Sequence, residues 1–157
     1  MSIIIETNAT EAFYNLITEA EKNSGIFLEQ DLQAFVVYAL LRNIHNHRLK
    51  ELVFAEALLS AVDKPDIKKV ESVVDQALIY AGMFPKRAHK TGVSKHYYHD
   101  IGVTASVWLS NHYAKLRSSY YEVYDRVGKN FNNLVRVLAS LVISEEVKAF
   151  VNNRLNL

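Results

Sequence analysis

Apolar residues recur at three- and four-residue spacing along almost the whole chain, the period of helices that bury one face. Ala9, Ala12, Phe13, Leu16, Ile17 and Ala20 form the first stripe and predict a helix over 9–22. Asn8, with Glu11 three residues on, predicts a capping box at its start. Gly25, after Asn23 and Ser24, suits the left-handed position that closes a helix. A second helix is predicted over 29–44, with Leu32, Phe35, Val36, Ala39, Leu40 and Asn43 on one side. Val37, Tyr38 and Leu41 fill much of its remaining surface, so this helix is expected to be central. The polar run His45-Asn46-His47-Arg48 ends it. A third helix is expected over 49–62, carried by Leu52, Val53, Ala55, Leu59 and Val62.

Asp63-Lys64-Pro65-Asp66 reads as a turn into a fourth helix, its proline and early acid suited to the first turn. Val70, Val73, Val74, Ala77, Leu78 and Ala81 are its stripe. Gly82-Met83-Phe84-Pro85 ends it, because a residue before proline is pushed out of helical geometry. Ser94 is placed to cap a fifth helix reaching about Leu116, and Ser118 or Ser119 marks a break or bend. A sixth helix is predicted over 120–142. Ser144, with Glu145 and Glu146 behind it, starts a short terminal helix carrying Val147, Phe150, Val151 and Leu155. Five glycines and two prolines leave little material for hairpins. The pattern predicts an all-α fold: one domain over residues 1–157, a bundle of six or seven helices with short loops.

Composition narrows the class further. The chain has no cysteine, which removes disulfides and thiolate metal sites and fits a reducing compartment. Its start, Met1-Ser2-Ile3-Ile4-Ile5-Glu6, lacks the basic and apolar regions of a signal peptide. The apolar run from Phe35 to Leu41 is far short of the roughly 20 residues of a membrane span. A soluble, cytoplasmic protein without membrane attachment is the expectation.

The net charge of +1 hides an asymmetry. Asp100 is the only carboxylate between Gln76 and Tyr121, a stretch that holds Lys86, Arg87, Lys90, Lys95, Lys115 and Arg117. Six cations against one acid give this middle +5, and twelve cations against sixteen acids give the remainder −4. Lys86, Arg87, His89, Lys90 and Lys95 lead into a helix start, where free N–H groups and the helix dipole favour anions. Tyr97 and Tyr98 beside them could stack on bases. An acidic protein surface or a phosphate-bearing ligand is the expected partner. Nucleic acid is disfavoured by a pI near 7.9, below the value of about 9 usual for dedicated binders. The bland alternative is a solvated basic loop that balances acidic helices of the same molecule.

His96, His99 and Asp100 share one arc of a helix at i, i+3 and i+4. Two imidazoles and a carboxylate are suitable ligands for Zn²⁺ or Fe²⁺, with Asp125 a nominal further ligand. Against this stand solvated histidines in a first turn, with Asp100 paired to Lys95 or Arg87. His112 projects to the opposite side with Tyr98, Ile101, Ala105, Trp108 and Leu109. No catalytic motif is present, and nothing in the sequence requires a cofactor. Tyr113, Leu116, Tyr120, Val123 and Val127 would form a packing seam if the fifth and sixth helices were continuous. Such tyrosines are read as core or core edge, or as a surface for a partner helix. Gly102, costly inside a helix, predicts a close approach of another backbone or a bulky side chain there. Trp108 is read as core.

Two stretches carry a resemblance. One is Ala34-Phe35-Val36-Val37-Tyr38-Ala39-Leu40-Leu41. The other runs from Ala81-Gly82-Met83-Phe84-Pro85 through Tyr97-Tyr98-His99-Asp100-Ile101-Gly102 to Ala105. Together they resemble an all-helical bacterial protein family of unknown function, in which a G-x-F helix end precedes Y-Y-x-x-x-G-x-x-A-Y. Ser106 stands where that pattern ends in tyrosine. The resemblance implies a helical fold and no mechanism. The leading expectation for function is a non-enzymatic binding protein, associating with itself and using segment 86–100. The alternatives are a metal- or anion-binding protein or enzyme built on His96, His99 and Asp100, and a nucleic-acid-binding regulator.

Overall fold

Six helices and no strand make up the described part of the computed structural model, which describes residues 2–45, 66–85 and 96–141. They are α1 (Ser2–Ser24), α2 (Gln30–His45), α3 (Ile67–Met83), α4 (Tyr97–Lys115), α5 (Tyr120–Lys129) and α6 (Phe131–Ala139). The fold is all-α, as the periodicity predicts. The helix expected over 49–62 and the one after Ser144 lie outside the described residues. None of the described helices is long and apolar enough to cross a membrane. The chain divides into two compact units: Met1–Lys50 with Arg136–Leu157, and Glu51–Val135.

In the first unit α1 packs against α2. Helical backbone runs back to Ser2, so Asn8 sits inside α1 and the helix does not start there as predicted. A cap residue needs non-helical dihedrals, whereas each residue added to an existing helix gains a backbone bond. Gly25 closes α1 as expected, at φ 72°, with its N–H donating to the Glu21 carbonyl at 2.9 Å. The turn after it hangs on Glu21, a carboxylate only 5% exposed. Its two oxygens accept from the Leu28 N–H at 2.7 Å and from the Gln33 amide at 2.5 Å. The Ser24 hydroxyl donates to the Glu21 carbonyl and accepts from the Ile26 N–H. On α2, Leu32, Phe35, Val36, Val37, Ala39, Leu40, Leu41 and Asn43 are buried, while Tyr38 and Arg42 keep a strip in solvent.

The second unit is built around α3. The Asp66 side chain caps its first turn by accepting from the Lys69 N–H, so this acid stands one position before the helix and not inside it. Every residue from Val73 to Tyr80 is buried, Asp75 and Gln76 included. The strongest all-round burial therefore falls on α3, where the sequence pattern points to α2. Each fully buried Val or Leu contributes about 1.5–3 kcal/mol, so α3 dominates this core. Phe84, held at φ −132° before Pro85, ends the helix as expected.

Tyr98, Gly102, Ala105, Ser106, Leu109 and Ser110 are the buried face of α4. Gly102 and Ser106 make that face shallow. The Phe131 ring of α6 fills the space beside Gly102, and Gly128 of α5 lies against the Ser106 Cβ. Gly102 thus meets a bulky side chain, one of the two approaches expected of it. Ser106, fully buried, turns its hydroxyl back to the Gly102 carbonyl at 2.7 Å.

The chain breaks after α4 at Arg117, beside Ser118 where the sequence marks a break or bend, and the described part of the predicted helix over 120–142 is two helices. Arg117 takes the left-handed conformation at φ 52°. Its N–H donates to the Ala114 carbonyl at 3.1 Å, and the Ser118 N–H donates to the Tyr113 carbonyl at 3.0 Å. This bond pair is a Schellman closure, formed with arginine where glycine is usual. The seam through Leu116 and Tyr120 therefore does not exist, and both side chains are exposed. The chain reverses, and the Ser110 hydroxyl donates across the hairpin to the Tyr121 carbonyl at 3.1 Å. The second break is at Asn130, whose backbone and side-chain N–H groups both donate to the Arg126 carbonyl. Such self-bonding draws asparagine out of the helical path.

Arg117→Gly is expected to raise stability by about 1 kcal/mol, because a side chain at positive φ costs roughly 1–2 kcal/mol and glycine gives back part of it in backbone entropy. Denaturant titration of the two proteins measures it. A loss of stability would contradict the strain assigned to this position.

Candidate functional site

Lys86, Arg87, His89, Lys90 and Lys95 lie outside the described residues, as does the Ser94 cap. Their neighbours at the start of α4 are described. His96 occupies the N-cap position, makes no side-chain capping bond, and is exposed. Its carbonyl accepts the first helical bond, from the Asp100 N–H at 2.9 Å. The helix therefore begins later than Ser94 would start it. His96 stands at its entry, with helical dihedrals.

Tyr98 is 4% exposed and packs on Tyr80 of α3 at 5.3 Å between ring centroids. Its faces belong to the core, which removes it from the residues able to stack on a partner. Tyr97 is half-buried and meets Tyr98 edge-on. His99 sets its ring edge against Phe131, and its Nδ1 lies 3.6 Å from a carboxylate oxygen of the exposed Asp100. Asp125 is taken up by Lys129 at 2.9 Å. Among the described residues no three His, Asp or Glu side chains gather closely enough to hold a metal ion, the set His96, His99 and Asp100 included.

A different cluster forms at the far end of α4. Trp108 is half-buried rather than core, and its indole stacks on the His112 ring at 5.3 Å and 5°. His112 meets Tyr113 edge-on; Tyr113 stacks on Tyr124 and tilts against Tyr120. The ladder is anchored to α3, because the Tyr113 hydroxyl donates to the Glu71 carboxylate at 2.5 Å. Burial, then the bond to Glu71 and the charge beside it, push the Tyr113 hydroxyl well above the usual tyrosine value near 10. A phenol so placed keeps its proton and holds α3 to α4. It is poorly suited to act as a base or nucleophile at neutral pH.

Folded Tyr113 binds its proton more tightly than unfolded Tyr113. Its stabilising contribution is therefore complete below the unfolded value of about 10 and is lost as pH rises beyond it. In an alkaline ultraviolet titration Tyr113 is expected to ionise in a component above the usual tyrosine value. Tyr113→Phe should delete that component. If the component survives, its assignment is wrong.

Beyond this ladder the hairpin corner opens to solvent. Leu116 is 63% exposed and Tyr120 62%, with Tyr121 also exposed. Lys115 and Arg117 stand among them, both exposed. The spacing placed Leu116 and Tyr120 on a seam only if the two helices were continuous; with the break at Arg117 both are exposed, as the alternative reading of a surface for a partner helix requires. Glu71 was hidden, since 42 residues separate it from Tyr113 and no local spacing connects them. No protein-family model, curated protein or solved structure matches this chain.

Proposed function

We propose that this chain is a non-enzymatic helical protein that works by binding an acidic partner through its basic middle, from Lys86 to Arg117, and that it associates with itself. The observation that supports the reading is the α4–α5 corner. There Leu116, Tyr120 and Tyr121 are exposed beside Lys115 and Arg117. Exposed aliphatic and aromatic groups rimmed by charge mark interaction surfaces, since burying them on a partner is favourable. The cations add attraction for an acidic partner and speed its encounter. The stretch 77–120, at +5, extends that field.

Poly-L-glutamate is a suitable probe. Binding followed by fluorescence of Trp108, the only tryptophan, should be measurable at low salt. It should weaken as ionic strength shortens the screening length to about 8 Å. Lys115→Glu together with Arg117→Glu is expected to weaken it roughly tenfold. No binding of poly-L-glutamate at low salt would overturn the proposal. Preferential binding of single-stranded DNA, with a steep salt dependence, would favour the nucleic-acid reading instead.

A further inference from the structure

We infer that the acidic partner of the α4–α5 corner is a second copy of this chain, which presents its α1–α2 turn. The contact is head to tail: Phe27 of one protomer seats against Leu116 and Tyr120 of the next. This inference rests on the binding role proposed above and adds the occupant.

Phe27 is 72% exposed, more than any other large hydrophobic side chain among the described residues. It does not sit on a loose loop. Gly25 before it is fixed in the left-handed region, the Ile26 N–H is held by Ser24, and the Leu28 N–H is held by the buried Glu21 carboxylate. An aromatic ring on a turn already ordered loses little further freedom on binding. Such rings serve as interface anchors.

Charge identifies what the anchor fits. Residues 1–41 hold six acids against one cation, a net −5. One of the six, Glu21, is internal, but Glu11, Glu19 and Glu29 are exposed on the elements that carry Phe27. The corner around Leu116 and Tyr120 belongs to the stretch at +5. An apolar knob in an acidic field therefore complements an apolar corner in a basic one. Pairing either patch with its own copy would set like charges face to face, which is costly. The contact is thus heterologous, joining two different patches. Such contacts build either a closed ring or an open filament.

Sedimentation equilibrium tests this with the full chain. The wild type should rise above the 17.9 kDa protomer mass as concentration increases, and return toward it in high salt. Phe27→Ser should remain a monomer, and so should Leu116→Ser with Tyr120→Ser. The equimolar mixture of these two variants retains one intact pair of patches. It should form a two-protomer species and nothing larger. Lys115→Glu, an exposed change, probes the same corner if the double serine variant loses its helical circular dichroism. It should raise the dissociation constant several-fold. A wild type that stays monomeric up to about 1 mM, the weak end of specific association, would overturn the inference. So would a Phe27→Ser protein that still assembles, or a mixture of variants that yields no dimer. Retained binding of poly-L-glutamate by a monomeric wild type would leave the binding role standing and remove only the second copy.

Discussion

Gly102→Ala is expected to destabilise the second unit by about 1–2 kcal/mol. Two effects oppose each other. Alanine gains about 1 kcal/mol over glycine inside a helix. Against that, the added methyl would fall within the Phe131 ring, closer than any real carbon contact. Phe131 is itself 1% exposed, and His99 sets its edge against the same ring. The ring cannot retreat without disturbing the core, and overpacking of this kind costs about 1–3 kcal/mol or more. Valine at 102 places more atoms in the same space and should cost more. The cause can be isolated with Phe131→Leu. That change alone should destabilise the protein, yet in the Gly102→Ala background it should recover much of the loss. The two substitutions should therefore depart from additivity by more than about 0.5 kcal/mol. Denaturant melts of the four proteins decide the matter, and an alanine variant as stable as the wild type would refute the close approach.

The second large effect belongs to Glu21. Glu21→Ala is expected to cost the first unit about 2–4 kcal/mol. The carboxylate is buried and serves two donors, the Leu28 N–H and the Gln33 amide. Deleting it removes the partner of two part-buried donors, and an unsatisfied buried donor costs about 1–3 kcal/mol. Glu21→Gln should be an incomplete substitute. Its one remaining oxygen can serve one donor, while its own NH₂ faces the other. The order of stability should be wild type, glutamine, alanine. Loss of the turn would also release Phe27, so the alanine variant should self-associate less than its residual fold predicts. Equal thermal stability of the alanine variant and the wild type would remove Glu21 from this role.

These two residues show what the sequence could convey. Gly102 announced itself, because glycine inside an apolar helical stripe has few explanations other than a close neighbour. Gly25 and Pro85 did likewise, each marking a helix end by its own backbone restriction. Glu21 gave no sign, since an acid after an apolar stripe reads as solvated until the chain folds the Leu28 amide back onto it. Asp75 and Gln76 misled in the same way, hiding how deeply α3 is buried. The end of α4 near Leu116 was legible from the serines behind it, but the form of its closure was not, because Arg117 fills a position where glycine would have been conspicuous. That closure decides between the two readings of Leu116 and Tyr120, placing them on the exposed corner. The candidate surface was thus half legible: its charge and the break beside it could be read along the chain, but the exposure of its apolar part depends on how the chain reverses there, which propensity does not encode.

The burial of α3 on all sides has a consequence for how this sequence can vary. A surface helix offers positions where a change of charge or size passes unnoticed. From Val73 to Tyr80 there is no such position, for the two polar residues are enclosed along with the six others. Random substitution across these eight codons should therefore yield a stretch almost without tolerated replacements, flanked by the permissive Lys68–Lys69 pair at the helix start.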